Sequence, residues 1–305
     1  MQAMPRLPAL ALALAAAACA GRPAEPDRLV AVATIPPLAD VVGRVAGPDW
    51  EVRTLVPPGT SPHVFEPAPR DVRLVAPARL IVTVGAGYDG WAAKLAAACA
   101  SRAKLFDAGR AAGIEPAAGE EAAGHSHGDH SDGDLSHEPH WWLSPDRVLR
   151  TLPALAAVLS DLDPAGAAGY LGRAEAVAGE LRSLDAEIAE TLRSVEGAPI
   201  ATAHNAWGHF ADRYRLNPVA SIEPVPGREP SPRDIRELVL LARRKGLRTL
   251  FTEPQFPEDA ARVVAKEAGL KIATVDPIGG VPGRTGYDEL LRFNARAFRG
   301  GLEAR

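Results

Sequence analysis

Apolar and polar residues alternate along the chain in two ways, one typical of buried strands and one typical of helices. Short runs rich in Val and Ile predict strands, and longer segments with apolar residues at helical spacing lie between them. The predicted strands are residues 29–34, 51–56, 80–85, 104–108, 199–204, 219–224, 248–254 and 271–277. Strands that alternate with helices indicate parallel sheets covered by helices on both faces. We therefore predict an α/β protein with two lobes of similar design.

Helix signals support this division. One predicted helix has Ser231 as its N-cap, Pro232 at its first position and Gly246 at its end, which is the usual order of such residues. A further helix is expected over 257–268, and a last one from about Tyr287.

The glycine-rich segment 85–90 has the outline of a dinucleotide-binding loop, but two strand-helix units precede it. We therefore interpret it as a turn that leads into a helix.

A long segment with helical spacing separates the two halves. Residues 163–195 contain no proline after Pro164, and a helix of this length would reach about 45–50 Å. We expect it to act as a stiff spine. The predicted organisation is an N-terminal lobe over 28–143, connecting helices over 144–196 that include the spine, and a C-terminal lobe over 197–305.

The N-terminus has the pattern of an export signal. A short segment with one positive charge is followed by an almost continuous Leu and Ala run that ends at Cys19. The run is too short to span a bilayer, so residues 1–19 are predicted to be a signal peptide with Cys19 as a candidate lipidation site. Ordinary cleavage nearby and an uncleaved anchor are the alternatives.

Cys99 has no predicted disulfide partner and is expected to be a small buried residue.

Residues 115–138 are almost free of apolar side chains and are predicted to form a mobile loop. The stretch HSHGDH within it resembles the two-zinc site of metallo-β-lactamase-type hydrolases, but no hydrophobic strand precedes it to fix its position. We predict that the tract binds metal loosely, and an inert linker is the alternative. Its histidines are His125, His127, His130 and His137.

Composition excludes some partners. The chain has 305 residues, 38 acidic against 34 basic side chains and a formal net charge of −4, so no basic field for nucleic acid is expected. The phosphate-binding pattern G-x-x-x-x-G-K-[ST] does not occur in the sequence, so we do not expect this chain to hydrolyse ATP.

The candidate chemistry lies in four dispersed residues. His63, His140 and His204 each follow a strand or stand where a loop meets a helix, and Asp276 occupies the same kind of position in the last predicted strand. Ligands of open α/β sheets bind beyond the carboxyl ends of the strands, so these groups are expected to converge between the lobes. Three imidazoles and one oxygen suit Zn²⁺. Glu66 or water could supply the oxygen instead, and each histidine alone could simply be a cap or core residue.

The chain resembles the metal-binding lipoproteins of bacterial ABC importers that capture zinc or manganese. The matching stretches are PPGTSPHVFEP, VGAGYDGW, HWWLSP, DPAGAAGY, AHNAWGHFADRY, FTEPQF and DPIGG, in order over residues 30–280. The resemblance implies a periplasmic binding protein of the cluster A-I type, with two mostly parallel sheets joined by a spine helix. It also implies metal binding by His63, His140, His204 and Asp276. Manganese members usually carry glutamate where His204 stands, so zinc is expected over Mn²⁺.

The expected function is capture of Zn²⁺ outside the inner membrane and its delivery to an ABC permease, with the ATPase on a separate chain. The protein is expected to be a monomer and not an enzyme. A manganese-binding importer component is one alternative. A zinc hydrolase, with an exchangeable metal-bound water beside Glu66 or Glu253, and a metal-dependent surface adhesin are the others.

Overall fold

A computed structural model of the protein describes residues 28–99, 101–115, 135, 137–223 and 227–303. The predicted signal peptide with Cys19, and the histidines at 125, 127 and 130, lie outside these residues. No helix within the described ranges is both long enough and apolar enough to cross a membrane.

In the part of the chain that the structure describes, eight strands form two four-stranded sheets, and every pair of these strands is parallel. The strands are β1 (Leu29–Ala33), β2 (Trp50–Thr54), β3 (Leu80–Thr83), β4 (Lys104–Asp107), β5 (Pro199–His204), β6 (Asn217–Glu223), β7 (Thr249–Thr252) and β8 (Lys271–Thr274). The strand orders are β2-β1-β3-β4 and β6-β5-β7-β8. The two lobes therefore share one topology, as the repeated sequence pattern predicts.

Ten α-helices connect and cover the sheets within the described residues. They are α1 (Pro36–Ala46), α2 (Pro69–Val75), α3 (Trp91–Ala98), α4 (Ala108–Ala111), α5 (Pro145–Leu162), α6 (Ala167–Leu192), α7 (Gly208–Tyr214), α8 (Pro232–Lys245), α9 (Asp259–Ala268) and α10 (Tyr287–Glu303). The predicted ends of α8 are confirmed. The Ser231 hydroxyl accepts a hydrogen bond from the amide of Asp234, and Gly246 closes the helix in the left-handed conformation at φ 65°.

The spine is shorter than the sequence suggested. Instead of one helix over 163–195, α6 covers Ala167–Leu192 and has a short 3₁₀ turn at each end, Pro164–Gly166 and Arg193–Val195. Its 26 residues reach about 39 Å at 1.5 Å per residue. Helical spacing alone does not distinguish a terminal 3₁₀ turn from an α-helical one.

One hydrophobic core joins the two lobes. It includes Val42 of α1, Leu184 of the spine and Phe298 of α10, together with Trp207, all at most 2% exposed. Buried hydrogen bonds also cross between the lobes. The Trp142 indole donates to the carbonyl of Pro277 at 2.8 Å, and the Tyr287 hydroxyl donates to the carbonyl of Trp142 at 2.7 Å.

Cys99 is half-buried beside the smaller core of the first lobe, and its thiol donates to the carbonyl of Leu95 at 2.9 Å. It is therefore less buried than predicted.

Candidate metal centre

Three histidines that are far apart in the sequence meet between the lobes. The candidate ligand atoms of His63, His140 and His204 all lie within 4.8 Å of one another. The Nε2 atom of His140 is 3.0 Å from Nε2 of His63 and 3.3 Å from Nε2 of His204. Tetrahedral zinc with Zn–N bonds of about 2.0–2.1 Å separates its ligand nitrogens by about 3.3–3.4 Å, so this spacing suits such an ion.

His140 is fixed by its position between a loop and a helical segment. It directly precedes the 3₁₀ turn Trp141–Leu143. The indole of Trp141 donates to the carbonyl of Val84 at 3.0 Å. A carboxylate oxygen of Glu138 lies 2.5 Å from Nδ1 of His140 and also accepts from the His140 amide. The carboxylate therefore orients the ring and directs Nε2 towards the other histidines.

His204, in the second lobe, also has a carboxylate beside its Nδ1, at ion-pair distance but without hydrogen-bond geometry. It is the last residue of β5, and its Nδ1 lies 2.7 Å from an oxygen of Glu253. The other oxygen of Glu253 accepts a hydrogen bond from the Trp207 indole at 3.0 Å. Both acids are almost fully buried, and each lies behind one imidazole as in many carboxylate–histidine–metal arrangements.

His63 lies in the 3₁₀ turn Pro62–Val64, and its ring packs edge-on against Tyr88 with centroids 4.6 Å apart. Burial raises the pKa of Tyr88 well above its usual value, so the phenol is neutral. Tyr88 also lies 5.4 Å from the His140 ring. One aromatic side chain thus packs against two of the candidate ligands.

The glycine-rich segment that carries Tyr88 is a turn, as its position in the chain suggests. Three consecutive residues, Gly85, Ala86 and Gly87, have φ values of 79°, 51° and 77°. The Asp89 carboxylate accepts hydrogen bonds from the amides of Val84 and Gly85. It also accepts a third from the Thr34 hydroxyl at 2.6 Å. The turn therefore serves to hold Tyr88 in place beside the histidines.

Asp276, the fourth predicted ligand, is not a member of the histidine cluster among the described residues. One of its oxygens accepts from the amides of Ile278 and Gly279 and from the Gln255 side chain, at 2.9–3.0 Å. The other lies 2.9 Å from Nε of Arg284. The carboxylate already has four partners, and its role as a ligand stays a prediction.

The remaining candidate residues lie outside the cluster. Glu66 is exposed and is not among the grouped ligands. His137 is half-buried, and its Nδ1 is 2.9 Å from the carbonyl of Glu115. Glu115 and His137 lie near the two ends of the histidine-rich segment 115–138, most of which lies outside the described residues.

Sequence reasoning missed the orienting role of both acids and named Glu253 only as a possible neighbour of a metal-bound water. Glu253 directly follows β7, next to β5, so the rule that the carboxyl ends of parallel strands meet at one edge would have placed it beside His204. Glu138 had a weaker signal, since it lies in the polar segment that was assigned to the loop.

The geometry defines a class of protein. Two parallel-sheet lobes joined by a long helix, with a buried three-imidazole cluster between them, are the architecture of a helix-linked solute-binding protein. Comparison with known proteins agrees. The family model "Zinc-uptake complex component A periplasmic" (ZnuA) matches residues 31–301, and the chain belongs to this family.

Individual relatives are similar at moderate identity. The chain is 27% identical over 259 residues to the zinc-binding protein AdcA of Streptococcus pyogenes serotype M3, a match that covers 82% of this chain and 50% of AdcA. It thus spans about half the length of the first such relatives. It is 26% identical to the high-affinity zinc uptake system protein ZnuA of Bacillus subtilis, with 90% and 88% covered. A crystal structure of ZnuA superposes with a TM-score of 0.77 at 28% identity, covering 91% of this chain and all of that one.

Proposed function

We propose that the protein captures Zn²⁺ between its lobes, outside the inner membrane, and delivers it to an ABC permease driven by a separate ATPase chain. The convergence of His63, His140 and His204 carries the proposal, because three buried imidazoles within bonding range of one point have no simpler structural role. Membership of a periplasmic zinc-uptake family supports the transport step.

The ligand set favours zinc over manganese. Imidazole nitrogen suits Zn²⁺, whereas Mn²⁺ prefers carboxylate, carbonyl and water oxygen. The cluster presents nitrogen atoms, and the nearest acids, Glu138 and Glu253, are engaged behind the rings. Asp276 is the candidate for an oxygen ligand.

Binding without catalysis is part of the proposal. A zinc hydrolase needs an open metal position and a general base beside it. Glu253 holds His204 and Trp207 through its two oxygens, and Glu66 is exposed away from the cluster. Neither acid is placed as such a base. A metal-dependent adhesin would need a partner surface in addition to the metal site, and the histidine cluster does not identify such a surface.

Three finer features remain part of the same proposal. The signal peptide and lipobox over residues 1–19 direct export, and lipid attached to Cys19, which remains after cleavage on its N-terminal side, holds the protein at the membrane. The histidine-rich tract binds additional zinc weakly. The protein acts as a monomer, with one tight zinc site per chain.

The test is metal analysis of the purified protein. After dialysis, the parent chain should retain one zinc ion, whereas His204→Ala should weaken binding by about a hundredfold or more because one of three first-sphere bonds is lost. His137→Ala is the matched control, since it removes a histidine outside the cluster, and it should retain the tight ion. A parent chain that retains no zinc, or an H204A variant that binds zinc as tightly as the parent, would refute the proposal.

A further inference from the structure

His209 is a buried histidine outside the three-histidine cluster. It is the second residue of α7, in the second lobe, and is 2% exposed. Its Nε2 atom lies 2.9 Å from the carbonyl oxygen of Glu138, in the first lobe, two positions before His140. A carbonyl oxygen can only accept, so Nε2 of His209 carries a proton and donates it. This hydrogen bond joins a helix of one lobe to the residue behind a candidate ligand of the other.

The side chain of Glu138 lies between two histidines. Its Oε2 atom is 3.4 Å from Nε2 of His209, whereas its Oε1 atom is 2.5 Å from Nδ1 of His140. The Oε1 atom also accepts from the His140 amide at 3.0 Å. His209 therefore contacts both the backbone and the carboxylate of the residue that orients His140.

Gly208, the first residue of α7, allows this close approach. A Cβ atom at this position would lie 2.8 Å from Cδ2 of Leu135 and 3.5 Å from Cγ of Glu138. The first distance is shorter than two carbon atoms tolerate, so a larger residue would push the helix away from Glu138. The glycine thus permits the donor of His209 to reach the carbonyl.

The far end of α7 is fixed to the spine. The carboxylate of Asp185, in α6, accepts hydrogen bonds from Nε of Arg213 and from the hydroxyl of Tyr214, both at 3.0 Å. Helix α7 has only seven residues and is held near both of its ends. His209 cannot move away from Glu138 without breaking buried contacts.

The start of α7 also supports the second orienting acid. Trp207, directly before the helix, donates its indole N–H to Glu253 at 3.0 Å. Glu253 lies beside His204, the candidate ligand of the second lobe. Trp207 and His209 are two positions apart, and each contacts the acid behind a different ligand. One short segment of the second lobe therefore supports both acids.

We propose that His209 is a positioning residue for the metal site, which holds Glu138 in place and thereby sets the orientation of His140 from the opposite lobe. The inference rests on the proposed function. Loss of the outer partner of a metal-ligating histidine weakens metal binding by about 10–100-fold, because that partner fixes the ring and its tautomer. His209 acts one contact further from the metal, so its loss is expected to cost about tenfold, at the lower end of this range.

The experiment measures zinc affinity by competition with a chromophoric chelator in His209→Ala, His209→Gln, Glu138→Ala and the double variant H209A/E138A. The glutamine amide can donate to the carbonyl of Glu138 in place of the imidazole. Tyr214→Phe is the matched control, because it removes a buried hydrogen bond at the other end of α7 and leaves the contact with Glu138 in place. Urea unfolding of each metal-free chain measures stability separately.

We expect H209A to bind zinc about tenfold more weakly than the parent, and H209Q to stay within about threefold of the parent. In the E138A background, the change at position 209 should cost less than about threefold, because the side chain through which His209 acts is already absent. Y214F should be less stable than the parent and should bind zinc as tightly. A residue that only supports the fold would not give this pattern.

Two results would overturn the inference. One is an H209A chain that binds zinc within about threefold of the parent. The other is an equal loss of affinity with and without the Glu138 side chain, since independent effects add. If E138A does not fold, as judged by circular dichroism, H209Q decides, and a loss as large as that of H209A overturns the inference. Failure of the proposed function is distinct, because it appears as a parent chain without tight zinc.

Discussion

At the scale of single residues, the candidate site depends on groups that do not face the metal. Glu138 and Glu253 each lie behind one histidine, at 2.5 and 2.7 Å from its Nδ1 atom. A carboxylate in this position fixes the ring and its tautomer and raises the basicity of the nitrogen on the other side. His140 and His204 therefore present Nε2 before any ion arrives.

Replacing Glu253 by Gln tests this role. The variant keeps an acceptor for the Trp207 indole but removes the negative charge beside His204, so zinc affinity should fall by about 10–100-fold. Glu258→Gln is the control, since Glu258 lies on the surface of the same lobe in an exposed pair with Arg262. It should bind zinc as the parent does. Equal affinity in E253Q and the parent, measured by chelator competition, would rule out the role.

Asp89 affects stability through its own protonation. Burial, opposed by its three hydrogen bonds, raises the pKa of Asp89 from 3.8 to about 6. Between about pH 4 and 6 the folded state therefore holds more protons than the unfolded state, and the free energy of unfolding falls as the pH rises through this range. The loss is on the order of 3 kcal/mol and levels off above pH 6.

Asp89→Asn removes this contribution. The stability of the parent relative to D89N should be greatest near pH 4 and should decrease towards pH 7. Urea unfolding at several pH values measures the difference, and Asp212→Asn, at an exposed position in α7, is the control. A difference between the parent and D89N that is independent of pH would contradict the assignment.

At the scale of elements, the sequence predicted the strands well because each is a short apolar run bounded by turn residues. All eight are present, and most differ from the prediction by one to three residues at an end. Strand ends are harder to predict, since a residue just beyond a strand, such as Val275, can be fully buried in the core as the strand residues are. The helix α5 was predicted only as part of the connecting segment, because Pro153 lies inside it and hides its continuity.

The site was predictable only in part for a related reason. Parallel topology brings strand ends to one edge, which is why three dispersed histidines could be expected to meet. The pattern of apolar and polar residues does not show which basic side chain pairs with a given carboxylate. Arg284 lies eight positions after Asp276 in a turn that no periodicity describes, so their pairing appears only in three dimensions.

The histidine-rich tract can be separated from the main site by deletion. Its flanks are already close, since His137 contacts the carbonyl of Glu115, so removal of residues 120–136 should be accommodated without disturbing the fold. The shortened chain should bind fewer weakly held zinc ions and keep one tight ion. Isothermal titration with zinc measures both classes. Loss of the tight site, with the fold intact by circular dichroism, would contradict the division between tract and site.

At the scale of the whole molecule, the lobes are expected to unfold together. The core is continuous across both sheets and the spine, and Arg44 of α1 pairs with Asp288 of α10 at 2.8 Å. Each lobe also has a smaller core of its own, but the shared core couples the two lobes and favours one cooperative transition.

Tyr287→Phe tests the link between the lobes. The change removes the hydroxyl that donates to the buried carbonyl of Trp142, and it should lower the free energy of unfolding by about 1–3 kcal/mol. Tryptophan fluorescence and far-ultraviolet circular dichroism should still report one coincident transition in urea. Two separate transitions in the parent chain would show that the lobes are independent.

The position of α10 has a consequence for the order of folding. Leu291 and Phe298 of this helix complete a core shared with α1 and the spine, although α1 lies far away in the sequence. Contacts between such distant segments carry a large loop-closure entropy, so the docking of α10 is expected to be a late step. Until that step, the apolar face of α1 remains only partly covered.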